Sequence, residues 1–236
     1  MPAIDIIIYI SLLAGAALSY VTKKLTLAGA ITGAIVGLLI YLGASLTGIT
    51  LLAIFFIAGS WATGFKSLRK VDSNTAEQNH SQRTAGQVLA NGGVAAILGA
   101  LAWLLPNHAP LLQHMLAGSF AAATADTLSS ELGMIYGSRF YNIISLKKDT
   151  RGLDGVVSLE GTLIGLLGAA LIAAAYATSY GWSTSFWCII LAGFAGNLAD
   201  SILGATAERK RWIGNNAVNF LNTLIGAAVC WLLMSL

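Results

Sequence analysis

Four long stretches of this chain contain no charged residue. They cover residues 25–65, 84–125, 161–199 and 212–236 and are 41, 42, 39 and 25 residues long. A membrane-spanning helix needs roughly 20 apolar residues, so each of the first three stretches is long enough for two spans. Only 10% of the residues are charged, against about 25% in an average soluble domain. This pattern excludes a soluble enzyme, a nucleic-acid-binding module, a secreted disulfide scaffold and a disordered chain.

The apolar runs are continuous rather than alternating, which predicts helices and argues against a β-barrel. We predict eight spans, with limits 3–20, 25–43, 46–65, 85–105, 111–135, 156–180, 184–206 and 215–235. The expected fold is therefore an all-α, polytopic bundle of about eight transmembrane helices. It forms a single integral-membrane domain over 1–236. Its parts are three N-terminal helices (1–65), a cytoplasmic loop (66–84) and a catalytic core that bears the motifs (85–236).

All 13 lysines and arginines fall in four of the links between these spans, and the links that alternate with them have none. The positive-inside rule then places the basic links 21–24, 66–84, 136–155 and 207–214 in the cytoplasm and both termini outside. The net charge of +3 is thus an orientation signal. The chain begins without the features of a signal or transit peptide, so we expect the plasma membrane of a cell.

Two short segments recur along the chain. Ala125-Asp126-Thr127 returns as Ala199-Asp200-Ser201, and Thr162-Leu163-Ile164-Gly165 returns as Thr223-Leu224-Ile225-Gly226. One hypothesis is an internal duplication of helical hairpins, which would place the two aspartates at equivalent positions.

Ionisable side chains inside predicted spans are costly and by default indicate function. Asp126 and Glu131 lie in the fifth span, Glu160 in the sixth and Asp200 in the seventh. All four lie in the cytoplasmic half of the membrane or at its mouth. At 1.5 Å per residue, Asp126 and Asp200 are roughly 10–15 Å below the surface. We predict these four as catalytic acids, and Asp126 and Asp200 also as metal ligands.

Asparagines and basic residues gather on the same side of the predicted bundle. A lone asparagine in a span usually bonds a neighbouring helix, but packing alone would not choose one side of the membrane. Helical spacing puts Asn215, Asn219 and Asn222 on one face of the eighth span. The predicted substrate- and nucleotide-binding residues are Arg83, Asn91, Arg139, Lys147, Arg151, Asn215, Asn216, Asn219 and Asn222.

This combination of side chains indicates phosphate chemistry. Carboxylate and amide oxygens suit Mg²⁺, which usually bridges substrate phosphates, while arginine and lysine suit phosphate oxygens. Together they are the components of a phosphoryl-transfer site, and an apolar groove between helices would hold a lipid tail. The residues therefore predict a lipid-phosphate enzyme that uses a cytosolic nucleotide. The sequence contains no P-loop, HExxH or GxSxG motif.

Four segments around these residues resemble the signature of one membrane family. They are 87–93, 125–133, 154–158 with 161–162, and 197–205 with 215–223. The family, long described as a domain of unknown function, includes the plant plastid phytyl-phosphate kinase and many bacterial and archaeal proteins. The resemblance spans roughly residues 25–236. It implies CTP-dependent phosphorylation of phytyl or another isoprenyl monophosphate, and it adds Ser158 to the substrate-binding residues. The link from Glu208 to Asn215 is shorter than in many relatives, so no role is carried over to Arg209, Lys210 or Arg211.

Three other functions use similar residues. A transporter also has buried acids and repeats, but it needs polar residues on both sides of the membrane, and the outer halves of these spans are apolar. A lipid-phosphate cytidylyltransferase would take the same nucleotide and lipid phosphate, so the sequence does not separate it from a kinase. A non-enzymatic scaffold is disfavoured by the one-sided polar cluster. The expected partners are a lipid monophosphate, a nucleoside triphosphate and membrane lipids, and not nucleic acid.

Overall fold

The computed structural model describes residues 3–69 and 82–235, with side chains for 4–65 and 82–235. Within these residues the chain forms seven α-helices, which confirms the predicted all-α bundle. They are α1 (Ala3–Val21), α2 (Leu27–Arg69), α3 (Ala85–Leu104), α4 (Ala109–Tyr136), α5 (Leu159–Tyr180), α6 (Thr184–Leu203) and α7 (Asn215–Met234). Most of the predicted loop 66–84, including Lys70, lies outside the described residues.

Six helical segments are long and apolar enough to cross a membrane, and together they make the chain a polytopic membrane protein. α4 is not among them, although it has 28 residues, because its polar side chains lower its mean hydropathy. The segment Leu27–Phe65 counts once among the six. The number of spans, eight, therefore stays a prediction.

α2 folds back on itself at Ser45, whose backbone angles of φ 49° and ψ −144° interrupt the helix. A β-carbon added to Gly37 would lie 3.5 Å from the side chain of Leu52. Along a straight helix these two residues would be roughly 22 Å apart. The contact shows that the halves 27–44 and 46–69 run antiparallel. The turn falls at the predicted link between the second and third spans.

α4 is the central helix of the bundle. Its residues 116–125 are all buried, and it packs against α2, α3, α5, α6 and α7. Small side chains let the backbones approach closely, as at Gly118, where a β-carbon would lie 2.8 Å from the carbonyl oxygen of Gly226. This packing brings Asp126, directly after the buried run, to the middle of one end of the bundle.

The described links separate into two ends of the bundle. The links that contain basic residues all border one cavity. They lie at 22–24, 83, 137–158 and 204–214. The links at Ser45, 105–108 and 181–183 lie at the opposite end. There Gln113 donates to the carbonyl oxygen of Gly43 at 2.7 Å and accepts from the Tyr180 hydroxyl at 3.0 Å. The links that contain basic residues thus lie together at one end of the bundle, and the links without them lie at the other.

The basic link between α4 and α5 contains two short strands. β1 (Tyr141–Asn142) and β2 (Val156–Val157) pair in an antiparallel register. Ser158 then caps α5 by accepting a hydrogen bond from the backbone N–H of Gly161 at 3.1 Å. The helix begins three residues after the approximate start, residue 156, that was predicted for the sixth span.

All six tryptophans lie on the surface of the bundle, near its two ends. This is the distribution that membrane–water interfaces favour, because the indole ring has an apolar body and a polar N–H. The tryptophans near the basic end are Trp61 and Trp212, and those near the opposite end are Trp103, Trp182, Trp187 and Trp231.

The separation of the ends predicts the result of cysteine labelling. Ser145 is exposed at the basic end and Asn107 is exposed at the other. We expect Ser145→Cys and Asn107→Cys to react with a membrane-impermeant maleimide from opposite sides, the first from the cytoplasm. The parent protein is the control, since Cys188 and Cys230 are buried. Labelling of both sites from one side would contradict this topology.

Candidate active site

A cavity of about 1140 Å³ opens at the basic end of the bundle. Its walls come from α2 to α7, from the α1–α2 link and from the segment between α4 and α5. The structure brings eight of the predicted site residues to this cavity. They are Arg83, Asn91, Asp126, Glu131, Ser158, Asp200, Asn215 and Asn219.

The polar floor of the cavity contains two aspartates. The carboxyl groups of Asp126 on α4 and Asp200 on α6 lie next to each other, and Asn222 of α7 lies beside Asp200. Within the described part of the chain, Oδ1 of Asp200 is buried without a hydrogen bond of good geometry. Two carboxylates held this close repel each other, and a cation between them would remove the repulsion.

A small hydrogen-bonded contact fixes the relative positions of these helices. The hydroxyl of Ser129 on α4 donates to the side-chain oxygen of Asn197 on α6 at 3.0 Å. Asn197 also packs on Gly165 of α5, where a β-carbon would lie 2.7 Å from its amide nitrogen. Asp200 comes one turn after Asn197. The sequence thus positions Asp200 through a serine, an asparagine and a glycine on three different helices.

Glu131 and Arg83 form another wall of the cavity. Glu131 follows Asp126 by five residues, about 140° around the helix, and so faces a different side. Its carboxylate accepts from the Thr63 hydroxyl at 3.3 Å. Burial lowers the pKa of Arg83, and the nearby charge of Glu131 opposes that shift. The Arg83 guanidinium also lies 5.8 Å from the centre of the Phe55 ring.

Arg83 is joined to the link between α1 and α2. Thr26 donates its N–H to the carbonyl oxygen of Arg83 at 3.1 Å, and the N–H of Arg83 donates to the carbonyl oxygen of Lys24 at 3.0 Å. These bonds hold Lys23 and Lys24 at the rim of the cavity, which both residues line. From the sequence, the two lysines were predicted only as orientation charges. The sequence holds no local signal for this pairing of distant segments.

Two further acids line the cavity and were not predicted as site residues. Asp154 lies before β2, and Glu208 lies at the end of the π-helical turn (Gly204–Glu208) that extends α6. Gly155 has a φ of +70°, and a β-carbon there would clash with the backbone of Ala205. This close approach joins the α4–α5 segment to the end of α6. The family resemblance of segments 154–158 and 197–205 was the one signal that pointed to this region.

Four predicted residues, three between α4 and α5 and one in the first turn of α5, do not line the cavity. Glu160 instead accepts hydrogen bonds from the backbone and hydroxyl of Ser138, the former at 3.2 Å. Arg139 and Lys147 have exposed side chains. Arg151 is also exposed, and its guanidinium lies 5.9 Å from the centre of the Phe140 ring.

The predicted face of α7 is divided between the cavity and the helix contacts. Asn215 and Asn219 line the cavity. Asn222 is fully buried one turn deeper, 2.7 Å from the position that a β-carbon on Gly196 would occupy. Asn216 lies beside Gly86 on α3. Asn222 reaches the site only through its position next to Asp200.

Arg209, in the link before α7, binds the α4–α5 segment. Its Nε donates to the carbonyl oxygen of Asp154 at 2.6 Å, and its guanidinium pairs with Asp149 at 2.8 Å. The hydrogen bond from the Thr150 backbone N–H lowers the pKa of Asp149, and the hydrogen bond from Arg209 lowers it further. Because this pKa is lower in the folded protein, the stabilisation is present above the unfolded pKa of about 3.9 and is lost as the pH falls below it.

Loss of the Arg209 contacts should make the α4–α5 segment more mobile without unfolding the bundle. We expect Arg209→Ala to increase cleavage within 141–157 by a protease added at pH 7, with little change in overall stability, because exposed ion pairs contribute little. Lys210→Ala is the matched control, since Lys210 packs on the Trp212 ring instead. Equal cleavage of both variants and the wild type would show that Arg209 does not hold the segment.

Comparison with known proteins identifies relatives over most of the chain. The family model described as integral membrane protein DUF92 matches residues 10–227. An uncharacterized membrane protein of Methanocaldococcus jannaschii is 33% identical over 94% of this chain and 92% of its own length. An uncharacterized membrane protein of Synechocystis is 32% identical over 83% of this chain and 77% of its own.

A plant relative is also similar. Protein VTE6 of the Arabidopsis thaliana chloroplast is 32% identical over 79% of this chain, which spans 58% of that protein. No solved structure matches. The family resemblance predicted from the four motif segments is confirmed. The matched range extends from α1 to α7 and includes Asp126, Asp200 and the residues around the cavity, so the chain belongs to the DUF92 family of integral membrane proteins.

Proposed function

We propose that this protein transfers the γ-phosphoryl group of CTP to an isoprenyl monophosphate of the phytyl type. The observation that supports this most is the arrangement of charges in the cavity. An aspartate pair forms the floor, Arg83 lies in the wall, and Lys23 and Lys24 lie at the rim. A triphosphate and a lipid phosphate need both a cation to share and positive side chains around them. The choice of an isoprenyl lipid and of CTP is supported by the family resemblance rather than by the cavity.

The aspartate pair fits Mg²⁺. Both ligand groups are hard oxygen donors, and Oδ1 of Asp200 lacks a partner among the described residues. No group of three or more acid, histidine or cysteine side chains within residues 3–69 and 82–235 is arranged to hold a metal. Asp126 and Asp200 would therefore supply two ligands, with phosphate oxygens and water supplying the rest. When bound, Mg²⁺ would neutralise charge on the phosphates.

The bases of the wall and the rim would bind phosphate oxygens. Arg83 offers a planar group with five N–H donors, and the nearby charge of Glu131 favours its protonated form. Lys23 and Lys24 add charge at the rim, where the carbonyl oxygen of Lys24 accepts a hydrogen bond from the N–H of Arg83. The exposed bases Arg139, Lys147 and Arg151 have no place in this proposal, nor does Glu160.

The reaction needs little acid–base chemistry from the protein. An oxygen of the lipid monophosphate attacks the γ-phosphorus, the bond to the β–γ bridging oxygen breaks, and the products are a lipid diphosphate and CDP. A phosphate monoester has a charge of about −1.5 to −2 at pH 7, so its oxygen is already a nucleophile. The proposed task of the site is to hold two anions in line against their mutual repulsion.

The position of the cavity at one end of the bundle also helps to choose between an enzyme and a transporter. Its lining residues lie at one end of the bundle, and the buried residues 116–123 of α4 separate it from the other end. This one-sided arrangement favours an enzyme over a transporter. We further propose that the cavity faces the cytoplasm from a plasma membrane, with both termini on the other side and residues 85–236 as the catalytic core. A cytidylyltransferase would use the same residues and is distinguished by its products.

Product analysis tests the proposal. Protein purified in detergent micelles would be incubated with Mg²⁺, each nucleoside triphosphate in turn and a panel of isoprenyl monophosphates. We expect lipid diphosphate and CDP, with the highest rate for CTP. The control is Asp5→Asn, because Asp5 accepts a hydrogen bond from Tyr41 at the opposite end of the bundle. CDP-lipid and pyrophosphate would instead identify a cytidylyltransferase, and absence of turnover with every pair would refute both.

A further inference from the structure

The wall of the cavity is apolar at one place on α6. Leu198 lines the cavity and is 38% exposed, and it lies about 200° around the helix from Gly196, which packs on α4. Among the described helical residues that line the cavity, the other exposed ones are polar, and Leu198 is the single exposed large hydrophobic one. A side chain that borders both the cavity and the lipid-facing surface marks a place where the two are continuous.

This opening lies between α5 and α6. Phe194, Leu198 and Ser201 are spaced i, i+4 and i+7, so they share one face of α6, and all three line the cavity. The opposite face of α6 is covered by other helices, since Gly196 packs on Ala122 of α4 and near Asn222 of α7. On the α5 side the cavity is lined by Gly161 and Thr162. The helix contacts thus leave one face of α6 for a molecule that enters from the membrane.

The depth of the opening suits a chain that starts at the aspartate pair. Leu198 comes two residues before Asp200, about 3 Å along the helix axis, and five before the end of α6 at Leu203, about 7 to 8 Å. A phosphate near Asp200 would therefore have its first carbon atoms at the level of Leu198. The surface there is apolar, whereas the rim with Lys23 and Lys24 is charged.

We infer that the hydrocarbon chain of the lipid-phosphate substrate leaves the cavity between α5 and α6, past Phe194 and Leu198, and lies in the membrane. The nucleotide enters separately, from the basic rim. This inference rests on the proposed function for the identity of the headgroup. It adds that the length of the chain is not limited by the cavity, since atoms beyond the opening are in lipid.

Closing the opening tests the inference. We expect Leu198→Trp to raise the KM for a 20-carbon isoprenyl monophosphate at least tenfold, with the KM for CTP unchanged. The KM for isopentenyl monophosphate, with five carbons, should rise far less, because little of its chain extends beyond Leu198. Leu191→Trp is the matched control: Leu191 is 51% exposed, lies two turns away on the same helix face and does not line the cavity. Equal KM values for the long substrate in both variants would overturn the inference.

A binding experiment separates this inference from the proposed reaction. Wild-type protein would be irradiated with dodecyl monophosphate that has a diazirine near the phosphate end of its chain. We expect labelled peptides from 159–165 and 194–201, and loss of labelling with excess dodecyl monophosphate but not with phosphatidylglycerol. Labelling without turnover would refute the kinase proposal alone. Labelling elsewhere, or equal displacement by phosphatidylglycerol, would show that the groove is an ordinary lipid contact and would refute the inference.

Discussion

Asp200→Asn is expected to lower turnover by roughly 100- to 1000-fold, the scale on which one preorganised charge in a catalytic site contributes. Asparagine has nearly the same shape, so the contacts of α6 remain while the negative charge is lost. The substitution removes one of the two carboxylates proposed to hold Mg²⁺. The measurement is the initial rate of lipid diphosphate formation as a function of Mg²⁺ concentration. We expect the loss to be only partly overcome at high Mg²⁺.

Asp126, the other aspartate of the pair, provides a second test. If Asp126 and Asp200 act as a unit, Asp126→Asn should cause a similar loss, and the double variant should be little worse than either single one. Asp5→Asn, at the other end of the bundle, should keep the wild-type rate. A loss of less than threefold in Asp200→Asn would remove this residue from the site.

Arg83→Lys is expected to weaken the binding of the phosphates. Lysine keeps the charge but lacks the planar pair of donors, so it does not replace a bidentate contact. A hydrogen bond to a charged group contributes about 1.5–3 kcal/mol, which is roughly tenfold to 150-fold in affinity. The quantities to measure are the KM values for CTP and for the lipid phosphate. The change should be larger in KM than in kcat, since substrate binding is affected first.

Arg139→Lys is the matched control for this prediction. Arg139 is exposed and lies away from the cavity, so its proposed role is limited to the orientation of the protein in the membrane. Lysine fulfils that role equally well, and the kinetic constants should not change. If Arg83→Lys also leaves both KM values unchanged, the phosphate site must be built on Lys23, Lys24 and backbone amides instead.

The helices and the acids could be predicted because both follow from local rules. Charge-free stretches of sufficient length predict spans, and an aspartate within a span is costly enough to need a reason. The same reasoning placed a turn near Ser45. It did not find the strand Val156–Val157, because a two-residue strand depends on its partner Tyr141–Asn142 and not on its own composition.

The basic residues were the hardest to assign from the sequence. A lysine next to a span satisfies the positive-inside rule whether or not it touches a ligand. Lys23 and Lys24 reach the cavity because the backbone of Lys24 bonds to that of Arg83, a contact between segments about 60 residues apart. Arg139 and Lys147 have the same charge but lie on the exposed α4–α5 segment. Helix periodicity likewise does not separate Asn219 from Asn222, which shares its face but lies one turn deeper, inside the helix contacts.

The surface position of the six tryptophans determines what the intrinsic fluorescence of this protein reports. Trp103, Trp182 and Trp212 are each more than half exposed, so their emission reflects the surrounding detergent or lipid. Brominated acyl chains should quench much of the signal in the native state. A shift of the emission maximum on heating would then record changes in the lipid or micelle shell. The loss of packing around α4 would need a different probe, such as the far-UV circular dichroism of the helices.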